Sequence, residues 1–283
     1  MRKVIAIVVL LMSCNLHAGE RLMFGINPGA SGKEDQMTLR ESFKPLADYI
    51  SKAVGSEVRT DITQNFKAID DRAGKGRFQI LMGTTHVIGN AYKDSGYYPV
   101  AKFKDLSAVF LVATNSKYKT LADLRNSRVG VMSRDALVGP LAVHTLKTHG
   151  LTLTKDFKEV REFKFQDALV ASLLAGGSDV VTVNPKVAAD ALKAHGDKVR
   201  ILGKSEPLPG FAISLSPDMP NEDAAKITKA LLAIGDNPAG KAALESLIGS
   251  TAGNAKLTKA DSNEYVKATE IIESAKKLYP PEN

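Results

Sequence analysis

Three short apolar runs in this chain end abruptly in small polar residues. Phe78–Met82 runs into Gly83-Thr84-Thr85-His86, Arg128–Met132 into Ser133-Arg134-Asp135, and Asp179–Val183 into Asn184-Pro185. The chemistry these residue types can do is capture of a small anion. That task needs several N–H and O–H donors converging in a cleft, and a helix N-terminus supplies them ready-made. Ser133 offers a hydroxyl and a backbone N–H, and Arg134 offers a guanidinium suited to an oxyanion. Asp135 reads either as an N-cap or as a polar contact. Thr84 and Thr85, equivalently placed, read as helix caps or as ligand contacts, and His86 as a donor to an anion or a cap-region side chain. Gln166 opens a helix after another strand, so its amide can reach the crevice. Asn184 is a turn residue or a contact from the opposite wall. Tyr97, beside Tyr98 and ahead of Pro99, is a candidate wall for the pocket.

Catalysis finds less support. Beyond the N-terminal leader the histidines are His86, His144, His149 and His195, dispersed along the chain. His144 and His149 stand five apart and share a helix face poorly. No His-Glu-x-x-His, no Gly-x-Ser-x-Gly elbow and no phosphate-binding Gly-rich loop with Lys-Ser/Thr is present. The residues therefore predict a binding protein rather than an enzyme, with no metal and no cofactor.

The elements that must position these residues can be read from periodicity. Leu22–Ile26 is a first strand, followed by a Gly, Pro and Ser-containing loop. Thr38 with Glu41 reads as a capping box for a helix carrying Phe43, Leu46, Ala47, Ile50 and Val54, stopped by Gly55; Pro45 fits poorly inside it. Strands at 57–63 and 78–82 with a helix at 66–73 complete a β-α-β-α-β unit. After an apolar strand at 109–114 a second such unit follows. It has strands at 128–132, 159–163, 179–183 and 199–202, and helices near 137–149, 167–174 and 187–195. A strand at 211–215 leads back out, and helices at 221–234, 239–248 and 262–277 end the chain. Runs whose interiors are almost wholly apolar, like 179–183 with its one threonine, suit strands buried on both faces of a parallel sheet, where ligands bind beyond the carboxyl ends. The pattern predicts two doubly wound α/β lobes joined by a two-strand hinge at 109–114 and 211–215. The first lobe would span 19–110 and finish with 213–283, whose helices would pack on it; the second would span 111–212.

The chain has 283 residues, 44% hydrophobic, enough for a sizeable core and about two domains. Arg2 and Lys3 precede an unbroken apolar run from Val4 to Met12, then a short polar stretch. This reads as a secretory signal at 1–18, too short to span a membrane. Leu16-His17-Ala18 gives a cleavage site with the mature chain beginning at Gly19. Leu11-Met12-Ser13-Cys14 is the competing lipoprotein reading, less favoured because methionine sits poorly in that pattern. Removing Arg2 and Lys3 lowers the formal charge from +7 to +5. Positive and negative side chains are interspersed, with no basic block, which argues against nucleic acid as a partner.

Several stretches together resemble the PhnD-type phosphate/phosphite/phosphonate family of periplasmic solute-binding proteins, components of ABC importers. They are Phe24-Gly25-Ile26-Asn27-Pro28, Phe43-Lys44-Pro45-Leu46-Ala47-Asp48-Tyr49-Ile50, Gly76–Ile80 leading to Gly83, Thr120–Arg125 and Ala175-Gly176-Gly177-Ser178-Asp179. The resemblance covers nearly the whole mature chain. It implies a type II periplasmic-binding-protein fold and a monomer that captures a small, phosphate- or phosphonate-like anion. The partner would be an inner-membrane permease or, alternatively, a sensory receptor or kinase. The departures fall at the site. Where the family commonly has Ser-Thr-Ser, this chain has Ser133-Arg134-Asp135, so only Ser133 carries over. Gln166 stands where a His is frequent, Asn184-Pro185 near an Asp-Ser, and Gly83-Thr84 in place of Gly-Pro. The resemblance carries the fold further than the ligand.

Overall fold

A computed structural model describes residues 21–29, 35–247 and 254–281. The expected signal segment and both readings of its processing lie outside the described residues. In the first part of the chain the elements are β1 (Leu22–Ile26), α1 (Gln36–Val54), β2 (Val58–Ile62), α2 (Phe66–Gly74), β3 (Ile80–Gly83), α3 (Thr85–Ser95) and β4 (Tyr98–Lys102). The middle part contributes β5 (Val109–Ala113), β6 (Arg128–Met132), α4 (Val138–Thr148), β7 (Glu159–Phe163), α5 (Gln166–Leu174), β8 (Val180–Val183), α6 (Pro185–His195) and β9 (Val199–Lys204). The chain then returns through β10 (Ala212–Leu215), α7 (Asn221–Leu232), α8 (Pro238–Glu245), β11 (Thr258–Lys259) and α9 (Ser262–Lys276).

Two sheets result. The first has the order β11-β4-β10-β3-β1-β2 and the second β7-β6-β8-β5-β9. In each, three parallel strands are flanked by one antiparallel strand that the crossing chain inserts: β10 lies between β3 and β4, and β5 between β8 and β9. The residues expected at the hinge are thus sheet interior. The crossings lie just before β5 and β10 and pair with each other. Phe103 N–H donates to the Phe211 carbonyl at 2.8 Å, and Leu106 and Leu208 exchange both bonds.

Alternation along β3 shows why these residues make a two-faced sheet. Ile80 and Met82 join the core formed with α1, around Phe43, Leu46 and Ile50, while Leu81 packs on the other face with Ile69, Phe78 and Tyr97. At Gly25 an added Cβ would meet the Phe78 ring at 2.5 Å, so glycine lets β1 and that ring approach. The second lobe has its own core around Phe110, Leu111, Val129, Val131 and Val181.

Two local expectations change. Asp35, not Thr38, caps α1, accepting from the Met37 and Thr38 amides, and Pro45 sits inside that helix. The tail helices do not all pack on the first lobe: α7 and α8 lie on α1, but α9 packs on both α3 and α4.

Candidate functional site

The carboxyl ends of β1, β3, β6 and the start of α5 meet between the lobes around a narrow cavity of about 20 Å³. That volume holds about one water molecule, so the lobes are closed on each other. Gly29, Phe66 and Thr84 line it from the first lobe, Leu106 and Phe211 from the crossing segments, and Met132, Ala136, Leu137, Val138 and Gln166 from the second lobe. Beside it a wider groove of about 540 Å³ opens, with Gln64, Asn65, Phe66 and Lys67 on one bank and Ser133, Asp135, Lys164 and Phe165 on the other.

Thr84 is the N-cap of α3 without a side-chain capping bond; its hydroxyl instead meets His86 Nδ1 at 3.3 Å. His86 is almost fully buried and lies 4.8 Å from the Phe66 ring, between centroids. Burial, helped by the Lys276 ammonium, pushes its pKa down to about 3, so the ring is neutral at ordinary pH. It can therefore offer a neutral hydrogen bond but no positive charge. Thr85 is committed elsewhere: its hydroxyl donates to the Pro209 carbonyl in the second crossing segment.

The second lobe departs further from expectation. Helix α4 begins at Val138 with Leu137 as N-cap, so Asp135 is not a cap; it is exposed on the groove. The Ser133 N–H is spent on the Phe163 carbonyl at 2.9 Å, and Ser133 lines the groove rather than the narrow cavity. Arg134 turns away. Its guanidinium bonds Glu162 at 3.1 Å and the Pro280 carbonyl at 2.7 Å, and stacks 5.3 Å from the Tyr279 ring centroid. The reason is a stronger alternative: a carboxylate, a carbonyl and an aromatic face together satisfy a guanidinium without desolvating it in an apolar cleft.

Gln166 is buried and lines the cavity. Its Oε1 accepts from the Asn184 backbone N–H at 2.6 Å, and its Nε2 makes no hydrogen bond among the described residues. Asn184 itself caps α6, accepting from the Val187 amide at 2.8 Å. Tyr97 is no wall of the cleft. It is 1% exposed, its hydroxyl donates to the Phe78 carbonyl at 2.6 Å, and it belongs to the core behind β3.

Sequence reasoning missed the apolar wall, chiefly Phe66, Leu106, Leu137 and Phe211. The only available signal was position: Phe66 and Phe211 adjoin the end of β2 and the start of β10. It also missed a pattern in the caps. Five helices have side-chain caps, from Asp35, Asn65, Asn184, Asn237 and Asp261. At the cavity α3, α4 and α5 have no side-chain bond from the N-cap residue, whereas α2, whose Phe66 also lines it, is capped by Asn65; α7, away from the cavity, has none either.

Comparison with known proteins bears on what this cleft is. No curated protein matches the chain by sequence. Among solved structures it is similar to a Xanthomonas citri protein bound to ATP (TM-score 0.74, 14% identity, covering 93% of this chain and 100% of that one). It is also similar to PhnD1 from Prochlorococcus marinus in complex with methylphosphonate (TM-score 0.71, 18% identity, 91% and 99% covered). A third similar structure is a binding protein of an ABC phosphonate transporter from Pseudomonas aeruginosa (TM-score 0.65, 14% identity, 91% and 87% covered). These likenesses confirm the two-lobed type II fold. A family profile, described as ABC transporter, phosphonate, periplasmic substrate-binding protein, matches residues 29–265. That family works in the periplasm, with a small-molecule ligand and an ABC permease, and among the described residues no helix is long and apolar enough to cross a membrane. This chain belongs to the periplasmic phosphonate-binding family and is a substrate-binding component of an ABC transporter.

Proposed function

We propose that this protein captures a small oxyanion, of the phosphonate or phosphate kind or an organic acid of similar size, between its lobes and delivers it as a monomer to its permease, without turnover. The observation that carries the reading is the convergence of α3, α4 and α5 on the cavity, where the N-cap residues Thr84, Leu137 and Phe165 make no side-chain bond to the first turn, beside the Gln166 Nε2, which has no hydrogen-bond partner among the described residues. Aligned peptide dipoles place partial positive charge at such ends. Thr84 adds a hydroxyl and His86 a neutral ring behind it. Ser133, Asp135 and Lys164 would meet the ligand only at its outer end, in the groove. Arg134, Thr85, Asn184 and Tyr97 are left out of the binding set by the partners they already have.

The domain reading that goes with this takes 19–110 and 213–283 as the first lobe and 111–212 as the second; sheet membership supports it to within two residues, since β5 of the second sheet begins at Val109 and β10 of the first at Ala212. Export by cleavage before Gly19, rather than lipidation at Cys14, completes it. Thermal unfolding in the presence of methylphosphonate, phosphite, phosphate and methanesulfonate tests the ligand class. A ligand at one hundred times its Kd stabilises by about 2.7 kcal/mol, a clear upward shift in Tm. Failure of every oxyanion to shift Tm, while an uncharged or cationic solute does so, overturns the reading.

A further inference from the structure

We infer that α9 is a third connection between the lobes, a brace whose C-terminal end must let go of the second lobe before the cleft can open. The helix is 15 residues long, about 22 Å, and each end is fastened to a wall of the cavity.

At its first turn Tyr265, fully buried, donates its hydroxyl to the Gly210 carbonyl at 3.2 Å, with the Phe211 carbonyl at 3.5 Å. This holds the crossing segment that carries Phe211 to the cavity. One turn on, the Thr269 hydroxyl donates to the Thr85 carbonyl at 3.4 Å. The helices α3 and α9 touch so closely at Gly89 that a Cβ there would meet Thr269 Oγ1 at 2.0 Å. Lys102 on β4 adds an ion pair to Glu264 at 2.9 Å. The first part of α9 is therefore fixed to the first lobe and its crossing.

The other end belongs to the second lobe. Tyr279, just beyond α9, is 5% exposed and counts among the core residues of that lobe. Its hydroxyl donates to the Met132 carbonyl at 3.0 Å, at the carboxyl end of β6, where Met132 lines the cavity. Arg134 closes over the ring and bonds the Pro280 carbonyl. A Cβ at Gly139, in the first turn of α4, would lie 2.5 Å from the Tyr279 hydroxyl, so the glycine leaves room for this contact.

A hinge opening rotates one lobe against the other about the paired crossings. A rigid helix attached to both sides cannot follow both. The weaker attachment is the one to the second lobe, where α9 packs on α4 less extensively than on α3 and the tail holds on through Tyr279 and Pro280, and it is the one that yields. Arg134, expected from sequence at the ligand, acts here as part of the clasp. The mechanism holds whichever solute occupies the cleft.

Distance measurement between spin labels tests it. Labels on Lys52→Cys in α1 and Lys193→Cys in α6, both exposed, report the lobe separation, with Cys14→Ser removing the native thiol. Without added ligand the parent protein is expected to show mainly one short distance. Tyr279→Ala is expected to add a major longer population. Tyr279→Phe, which keeps the ring and loses the bond to Met132, and Arg134→Gln are each expected to add a minor one. If both conservative variants keep the parent distribution and Tyr279→Ala, where it folds, only lowers Tm, the tail is a structural plug and the brace is overturned. A parent protein already as open as the variants overturns it too. Neither result touches the ligand class, which the thermal screen decides separately.

Discussion

Helix starts in this protein are of two kinds, and α5 and α6 set them side by side. Asn184 caps α6 by accepting from the Val187 amide. At α5 the cap position holds Phe165, and the next residue, Gln166, sends its Oε1 to the backbone of Asn184 instead of to its own helix. One helix end is satisfied by its N-cap; at its neighbour the N-cap residue contributes nothing, and the Ala168 N–H donates to Asp167 Oδ1 at 2.9 Å instead. The same contrast separates α1, α2, α8 and α9 from α3 and α4. The match to the crevice is partial: α2 is capped by Asn65 although its Phe66 lines the cavity, and α7, with Pro220 at its N-cap, has no side-chain cap away from it.

The most demanding test of that contrast is acid. His86 lies in the first turn of the open-ended α3, neutral, with its pKa lowered to about 3 from 6.5. The unfolded chain binds a proton below about pH 6.5 that the folded chain refuses until about pH 3. The stability this residue contributes is therefore present above pH 6.5 and lost as pH falls. Between pH 7 and 4.5 the loss is about 2–3 kcal/mol, read by denaturant midpoints, and His86→Gln is expected to flatten it. An unchanged slope in that variant would mean that the acid response arises elsewhere, and not at Asp70, whose burial raises its pKa to about 6 and which therefore adds stability as pH falls. Next in size is Gln166→Leu, which removes the free donor while keeping the bulk. Oxyanion affinity measured by calorimetry should fall about tenfold, the loss of one hydrogen bond worth about 1.4 kcal/mol. Equal affinity in the variant would remove Gln166 from the site. The smallest effect belongs to a closed end. Asn237→Ala at α8 is expected to cost about 1 kcal/mol of stability and leave oxyanion affinity unchanged, checked by the same two measurements.

Element type was largely legible in the sequence because apolar runs and helical periodicity were strong from Leu22 to Val183. β4 was not, because Tyr98-Pro99-Val100 reads as a loop. It forms a strand because Pro99 lies where β11, pairing only with Lys102 and Ala101, has not yet reached. Position after a strand was also legible, and it placed Thr84 and Gln166 at the cleft. Direction was not. Arg134 and Tyr97 are drawn off by groups distant in sequence, Pro280 and Phe78, whose carbonyls no local pattern announces. Asp35 took the capping role from Thr38 because it stands three residues earlier with its carboxylate free to accept two amides.

The strand that each crossing inserts also has a consequence for how the protein is assembled. All five strands of the second sheet come from one continuous stretch, 109–204, whereas the first sheet waits for β10, which fills the place between β3 and β4. A growing chain that has reached residue 204 holds every strand of one sheet and a gap in the middle of the other. Closing that gap pairs Met82 with Ile213, a contact of long sequence separation that slows folding. The second lobe is therefore expected to acquire its protected amides first, and the first lobe last, once the returning strand is in place.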